Sequence, residues 1–185
     1  MKLTGDFYLI SNYTYISDFH KLRQYEPIFN FLRISAQKIF RLGKHFNWYA
    51  DVYLQQKTGA PPLHVPLIFT RNRLAYEGNL GFKKLVLSSG FEIKYHTPYK
   101  ADNYSPVLGQ FFYQDSLTIS NKPDVTFFVN FRIRNFKAFV RAENLNTVQV
   151  TKAGGFGFTN NNLAAPAYPY PGLQIRLGIW WNFIN

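Results

Sequence analysis

From Gly172 to its last residue the chain reads GLQIRLGIWWNFIN, and apolar and polar positions alternate through it. Leu173, Ile175, Leu177, Ile179, Trp181 and Phe183 fall on one side; Gln174, Arg176, Gly178, Trp180 and Asn182 fall on the other. Successive side chains of a strand point to opposite faces, so this period of two predicts a β-strand between two unlike environments. In a soluble sandwich the apolar face looks inward on a core. In a membrane barrel it looks outward at lipid, and the polar face lines a lumen. Period alone does not choose between them.

The connections carry the next step. Strand-like segments fall at about 3–15, 29–40, 45–57, 73–83, 84–96, 124–134, 136–147 and 173–184. Short turns are expected near 42–44, 83–84 and 135, and long loops at 16–27, 58–72, 97–123 and 148–172. Long and short connections alternate, which puts every long loop at one end of the sheet. That asymmetry is the one expected of an outer-membrane barrel, with brief periplasmic turns and extended external loops. The expected fold is therefore all-β: an antiparallel up-and-down transmembrane β-barrel of about eight meandering strands, forming a single domain over 1–185 with a periplasmic C-terminus.

On this reading the lumen is lined by Arg33, Asp51, Arg73, Glu77, Glu92, Lys94, Arg132, Arg134, Lys137, Arg141, Glu143 and Arg176. The lipid-facing set is Phe46, Trp48, Phe91, Ile93, Phe127, Val129, Phe131, Val140, Leu177, Ile179, Trp181 and Phe183. Lys38 falls on the apolar face near a short turn, where a long side chain snorkels to the phosphate level. Tyr49, Tyr53, Phe128, Phe139 and Trp180 are bulky residues on the polar face.

Composition narrows the classes. No apolar run reaches the ~18 residues of a membrane helix, so strands are the only means of crossing a bilayer. Aromatics make up 19% of residues, an excess that suits strands and interfacial belts. The opening MKLTGDFYLI has no apolar stretch of signal-peptide length, because Asp6 interrupts it. With no cysteine, disulfide frameworks and thiolate metal sites drop out. The net charge of +11 favours anionic partners, but it is spread along the chain, which argues against nucleic acid.

Catalytic and cofactor motifs are missing. GGFGF at 154–158 lacks the lysine-serine pair of a phosphate loop and reads as a flexible external loop. His20, His45, His64 and His96 share no ligand spacing. The carboxylates on the polar faces suit lumen ion pairs better than a catalytic pair. No enzyme activity, metal or cofactor is expected.

Three stretches bring a family into view: TRNRLAYEGNLGFKKLVLSSGFEIKYHTPYKADNYSPVLGQFFYQ, then FVNFRIRNFKAFVRAENLN, then YPYPGLQIRLGIWWNF. From about residue 28 onward the chain resembles the C-terminal portion of the Putative porin family of Bacteroidetes outer membranes. The resemblance implies a longer barrel of which these residues are the last strands. It also implies a C-terminal strand similar to the signal read by the barrel-assembly machinery, with Phe183 in place of a terminal aromatic. Implied partners are outer-membrane lipid and lipopolysaccharide, small hydrophilic solutes, and that machinery during biogenesis. The leading functional expectation is a passive channel with mild anion preference, because inward Arg and Lys outnumber Asp and Glu. A plugged barrel acting as scaffold, receptor or transporter component is the alternative, and a soluble barrel with its faces reversed is a third.

Overall fold

A computed structural model describes residues 1–18, 20–119, 121–150 and 154–183. In chain order its strands are β1 (Lys2–Ile10), β2 (Tyr13–Ser17), β3 (Lys21–Tyr25), β4 (Phe29–Arg41), β5 (Phe46–Lys57), β6 (Ile68–Gly78), β7 (Leu85–His96), β8 (Asn103–Ser105) and β9 (Gln110–Phe112). They continue as β10 (Asp124–Ile133), β11 (Phe136–Glu143), β12 (Val148–Val150), β13 (Phe156–Phe158), β14 (Leu163–Ala165), β15 (Tyr168–Pro169) and β16 (Gln174–Trp181), with one 3-10 turn at Leu145–Thr147. Eight of them form a single sheet in the order β1-β4-β5-β6-β7-β10-β11-β16, every neighbour antiparallel. The sheet is an open meander whose edges are β1 and β16; it does not close into a barrel.

Four expected boundaries move, and one of them is the end of 136–147, which stops at Glu143 ahead of the 3-10 turn Leu145–Thr147. The segment 3–15 breaks at Asn12, whose left-handed backbone (φ 52°) ends β1 and starts the β2–β3 hairpin. The segment 73–83 slides back to Ile68–Gly78, because Leu80 and Gly81 take left-handed turn conformations and place the turn at 79–84. Strand β16 ends at Trp181, so Phe183 lies past it, stacked on Trp181 at 5.0 Å between ring centroids. Of the expected 173–184 segment, residue 184 lies outside the described residues, as do parts of the long loops at 19, 120 and 151–153, and the terminal Asn185.

Register shows how the strands lean. One continuous row crosses the sheet through Phe40, Trp48, Leu74, Phe91, Phe127 and Ala142. The last pair before the first short turn, Arg41–Asn47, lies one residue below that row. Before the second turn it is Gly78–Leu87, four residues below; before the third it is Ile133–Phe136, six below. The turns therefore slip five residues across four strand spacings. At ~3.4 Å per residue and ~4.8 Å between strands, this is a tilt of roughly 40° against the line of turns, as barrel strands have.

The two faces are built unlike a soluble sheet. On the apolar face Leu177 is 74% exposed and Ile179 72%, and Phe7, Phe46, Phe91 and Ile93 are exposed too. On the polar face Glu92 and Phe128 are each only 4% exposed and Ala75 is fully buried. Toward the short turns the apolar face gathers ring contacts, Phe40 with Trp48 at 4.8 Å, Phe46 with Tyr76 at 5.4 Å and Phe136 with Trp181 at 5.9 Å. Lys38, on this face, lays its ammonium 4.5 Å over Phe40.

The long connections all leave from one end of the sheet and pack together there as a cap. The 97–123 segment is its hub. Tyr113 donates its N–H to the Ile16 carbonyl at 2.7 Å and stacks on His64 at 4.6 Å, which ties in the β2–β3 hairpin and the 58–67 segment. Asn162 grips both backbone groups of Lys122 at 2.8 Å, which ties in the segment after β11. Ala101, Phe112, Ile119 and Ala165 form a small buried core here. GGFGF is not a free loop: Phe156–Phe158 pairs with Val148–Val150 as a hairpin. The proline-rich 161–172 stretch likewise forms the β14–β15 pair.

Candidate functional site

Because cross-strand partners share a face, register assembles the polar residues into rows. Asp51, Arg71, Lys94 and Asp124 make one row; Tyr49, Arg73, Glu92 and Thr126 the next; Phe128, Arg141 and Arg176 a third. Glu92 is the anchor. Arg71 donates to its Oε2 from Nη2 at 2.6 Å and from Nε at 3.1 Å, and Lys94 Nζ stands 3.4 Å from Oε1. Two cations thus compensate one nearly buried carboxylate, which has to be paired to stay charged.

Arg73 is held differently. Its Nη2 donates to the Ser88 hydroxyl at 3.0 Å, and its guanidinium lies 4.4 Å over the Phe128 ring and 5.5 Å from that of Tyr49. Phe128 reaches Arg73 across β7 because the residue between them in the row of Ala75 and Phe128 is Gly90. A Cβ at Gly90 would also collide with the Leu74 carbonyl, so only glycine allows the β6 and β7 backbones to approach this closely. Gly178 plays the matching part on β16, where the Phe139 ring covers it.

Three other acids are paired on the same face. Glu77 accepts from Tyr49 Oη and Asn47 Nδ2, both at 2.8 Å. Glu143 lies 3.0 Å from Arg176 Nε and 3.6 Å from Arg141 Nε. Asp6 on β1 accepts from Arg33 at 2.8 Å. Lys137 lies 4.9 Å over the Trp180 ring. An open pocket of about 510 Å³ is lined by residues of β4, β5, β6, β7 and β11, among them Arg33, Asp51, Arg71, Lys94 and Arg141. Chemically this is a polar face with mixed charges, an excess of cations and interspersed rings. No group of three or more metal-ligating side chains occurs among the described residues.

Register places Arg33, Asp51, Arg73, Glu77, Glu92, Lys94, Arg132, Lys137, Arg141, Glu143 and Arg176 on this one face. Arg134 departs: it sits in the two-residue turn after β10 with a left-handed backbone (φ 51°), off the sheet. Phe46, Trp48, Phe91, Ile93, Phe127, Val129, Phe131, Val140, Leu177, Ile179 and Trp181 share the opposite face. Among the polar-face residues that escape the sequence reading are Asp6, Arg71 and Asp124. Arg71 was legible in principle, since Phe69, Arg71, Arg73, Ala75 and Glu77 keep the period of two, but TRN reads as a turn.

The sequence model of the family described as "Putative porin" matches residues 1–185, the whole chain. The chain belongs to this porin family. The match includes the first strand and hairpin, which the resemblance from residue 28 onward had left out. No curated protein and no solved structure matches it.

Proposed function

We propose that the chain builds an outer-membrane barrel wall whose polar face lines a water-filled path for passive diffusion of small hydrophilic solutes, with a mild preference for anions. The observation that carries this is the inversion of the sheet: Leu177 and Ile179 are bare while Glu92 and Phe128 are covered. Bare apolar area of this extent is unfavourable in water and favourable against hydrocarbon. The tilt of roughly 40° and the ring contacts near the short turns support the same reading, since aromatic girdles mark bilayer interfaces. On this reading the cap is external and the short turns and C-terminus are periplasmic. Lipid and lipopolysaccharide contact the apolar face, the barrel-assembly machinery inserts the chain, and the role is non-catalytic.

Reversal potentials in planar bilayers under a potassium chloride gradient test it. Anion preference is expected, and clear cation selectivity overturns it. A second reading, a plugged barrel serving as receptor or transporter component, is favoured by the packed cap over the sheet end. Folded protein that passes no current supports that alternative. The membrane orientation has its own check. Leu177→Cys and Phe127→Cys, labelled with a fluorophore in vesicles, are expected to be quenched by lipid-dissolved quenchers; shielding at both sites sinks the orientation.

A further inference from the structure

We propose that the polar face carries a binding site for a small solute bearing a divalent oxyanion of the phosphate class, built where two carboxylates are each shared between two cations. The inference rests on the reading of this face as the wall of a solute path. Glu92 lies between Arg71 and Lys94, and Glu143 between Arg141 and Arg176, so each carboxylate leaves one positive charge over. Arg73, beside Glu92 in register, makes no ion pair with a carboxylate among the described residues; it rests on Ser88 and the Phe128 ring. Within three successive rows five cations stand among four acids, Asp51, Glu92, Asp124 and Glu143, and Asp124 already accepts from Asn162.

Two further observations point to an anion. Arg141 and Arg176 stand directly opposite each other across β11 and β16. Like charges in that position repel unless negative charge lies over them, and Glu143 supplies one charge for two. Arg71, Lys94 and Arg141 line the open pocket beside these rows, and the planar guanidinium fork matches phosphate oxygens. The adjoining pocket of about 510 Å³ exceeds a bare phosphate and presents the Tyr53 and Phe69 rings, which suits an organic body attached to the anion.

The test titrates inorganic phosphate into the full chain, folded in detergent micelles and buffered with chloride, by isothermal calorimetry. Saturable binding is expected, weakened about tenfold or more in Lys94→Gln and in Arg176→Gln, as for loss of a charged hydrogen-bonding partner. Either variant decides if the other fails to fold. Lys83→Gln, which removes one charge in the short turn at 79–84, is expected to bind like the parent chain. No saturable binding, unchanged binding in the folded polar-face variants, or an equal loss in Lys83→Gln overturns the site. Chloride conductance of the same protein separates the two readings. Binding without current keeps the site and removes the channel; current without binding does the reverse.

Discussion

The sheet and the cap are held by different means. In the sheet the backbone ladder does most of the holding, and few large apolar side chains are buried; its oily face is bare. In the cap Phe112 and Ile119 are nearly inaccessible, and loop backbone is tied by side chains. Lys57 Nζ donates to the carbonyls of Pro61 and Leu63, Asn144 to that of Gly172, and Asn161 to that of Pro171. On the proposed reading lipid covers the bare side of the sheet, whereas the cap ties much of its loop backbone through its own side chains. The line between the two regions falls where the strands end.

The largest effect expected from breaking this division is at Leu177, in the middle of β16. Leu177→Arg puts a charge on the apolar face near mid-depth and is expected to destabilise the lipid-embedded protein by about 2–4 kcal/mol. In water the same change at a 74% exposed position is close to neutral. Urea unfolding in vesicles, compared between parent and variant, measures it; a cost near zero in lipid places the face elsewhere. Next in size is Glu92→Gln on the other face. It strips the shared carboxylate from Arg71 and Lys94 and is expected to cost about 1–3 kcal/mol, since both cations remain half-hydrated. Current through such a variant shifts further toward anions, read as a change in reversal potential.

What the sequence made legible follows the same division. β4, β5, β7, β10, β11 and β16 show in the period of two, because a face toward one medium and a face toward another impose that period along the whole strand. Strand β6 was legible only in part. Pro66 and the polar triplet Thr70-Arg71-Asn72 suggested a loop, while the real turn was hidden at Leu80, a residue that seldom takes a left-handed backbone. That shift cost the reading Arg71, the strongest partner of Glu92. The cap was hardly legible at all, because its hairpins are two to five residues long and rest on long-range ties such as Asn162 to Lys122. Ties of that kind leave no periodic trace.

Within the cap, Asn162→Ala is the sharper probe. It removes the acceptor for Lys122 N–H and two donated bonds, one to the Lys122 carbonyl and one to Asp124 Oδ1 at 2.9 Å. With Asn162 only 7% exposed, the loss is expected to be about 1–3 kcal/mol of local stability. Hydrogen exchange at the Lys122 amide should quicken while the β5 and β6 amides keep their protection. Equal acceleration in the sheet would mean that cap and sheet unfold as one body.

The smallest effect is with pH, and its two signs both arise in the cap. Burial in the cap raises the Tyr99 phenol above its ordinary value of 10.0, and burial also raises that of Tyr113. A group raised on folding contributes stability that is whole below its unfolded value and lost as pH rises through the folded one. By this contribution the cap is expected to loosen at strongly alkaline pH. Asp115 works the other way: its hydrogen bond from Lys100 holds the carboxyl below its ordinary 3.8. That contribution is present above 3.8 and fades as pH falls below it. The pair is exposed, so its loss frees the 99–115 stretch without unfolding the sheet. Tyrosinate absorbance followed through an alkaline titration is expected to show a late-ionising fraction among the 13 tyrosines, abolished together with cap protection in Asn162→Ala. A single step for all of them near 10.0 would mean that the cap buries its rings too loosely to act as a body of its own.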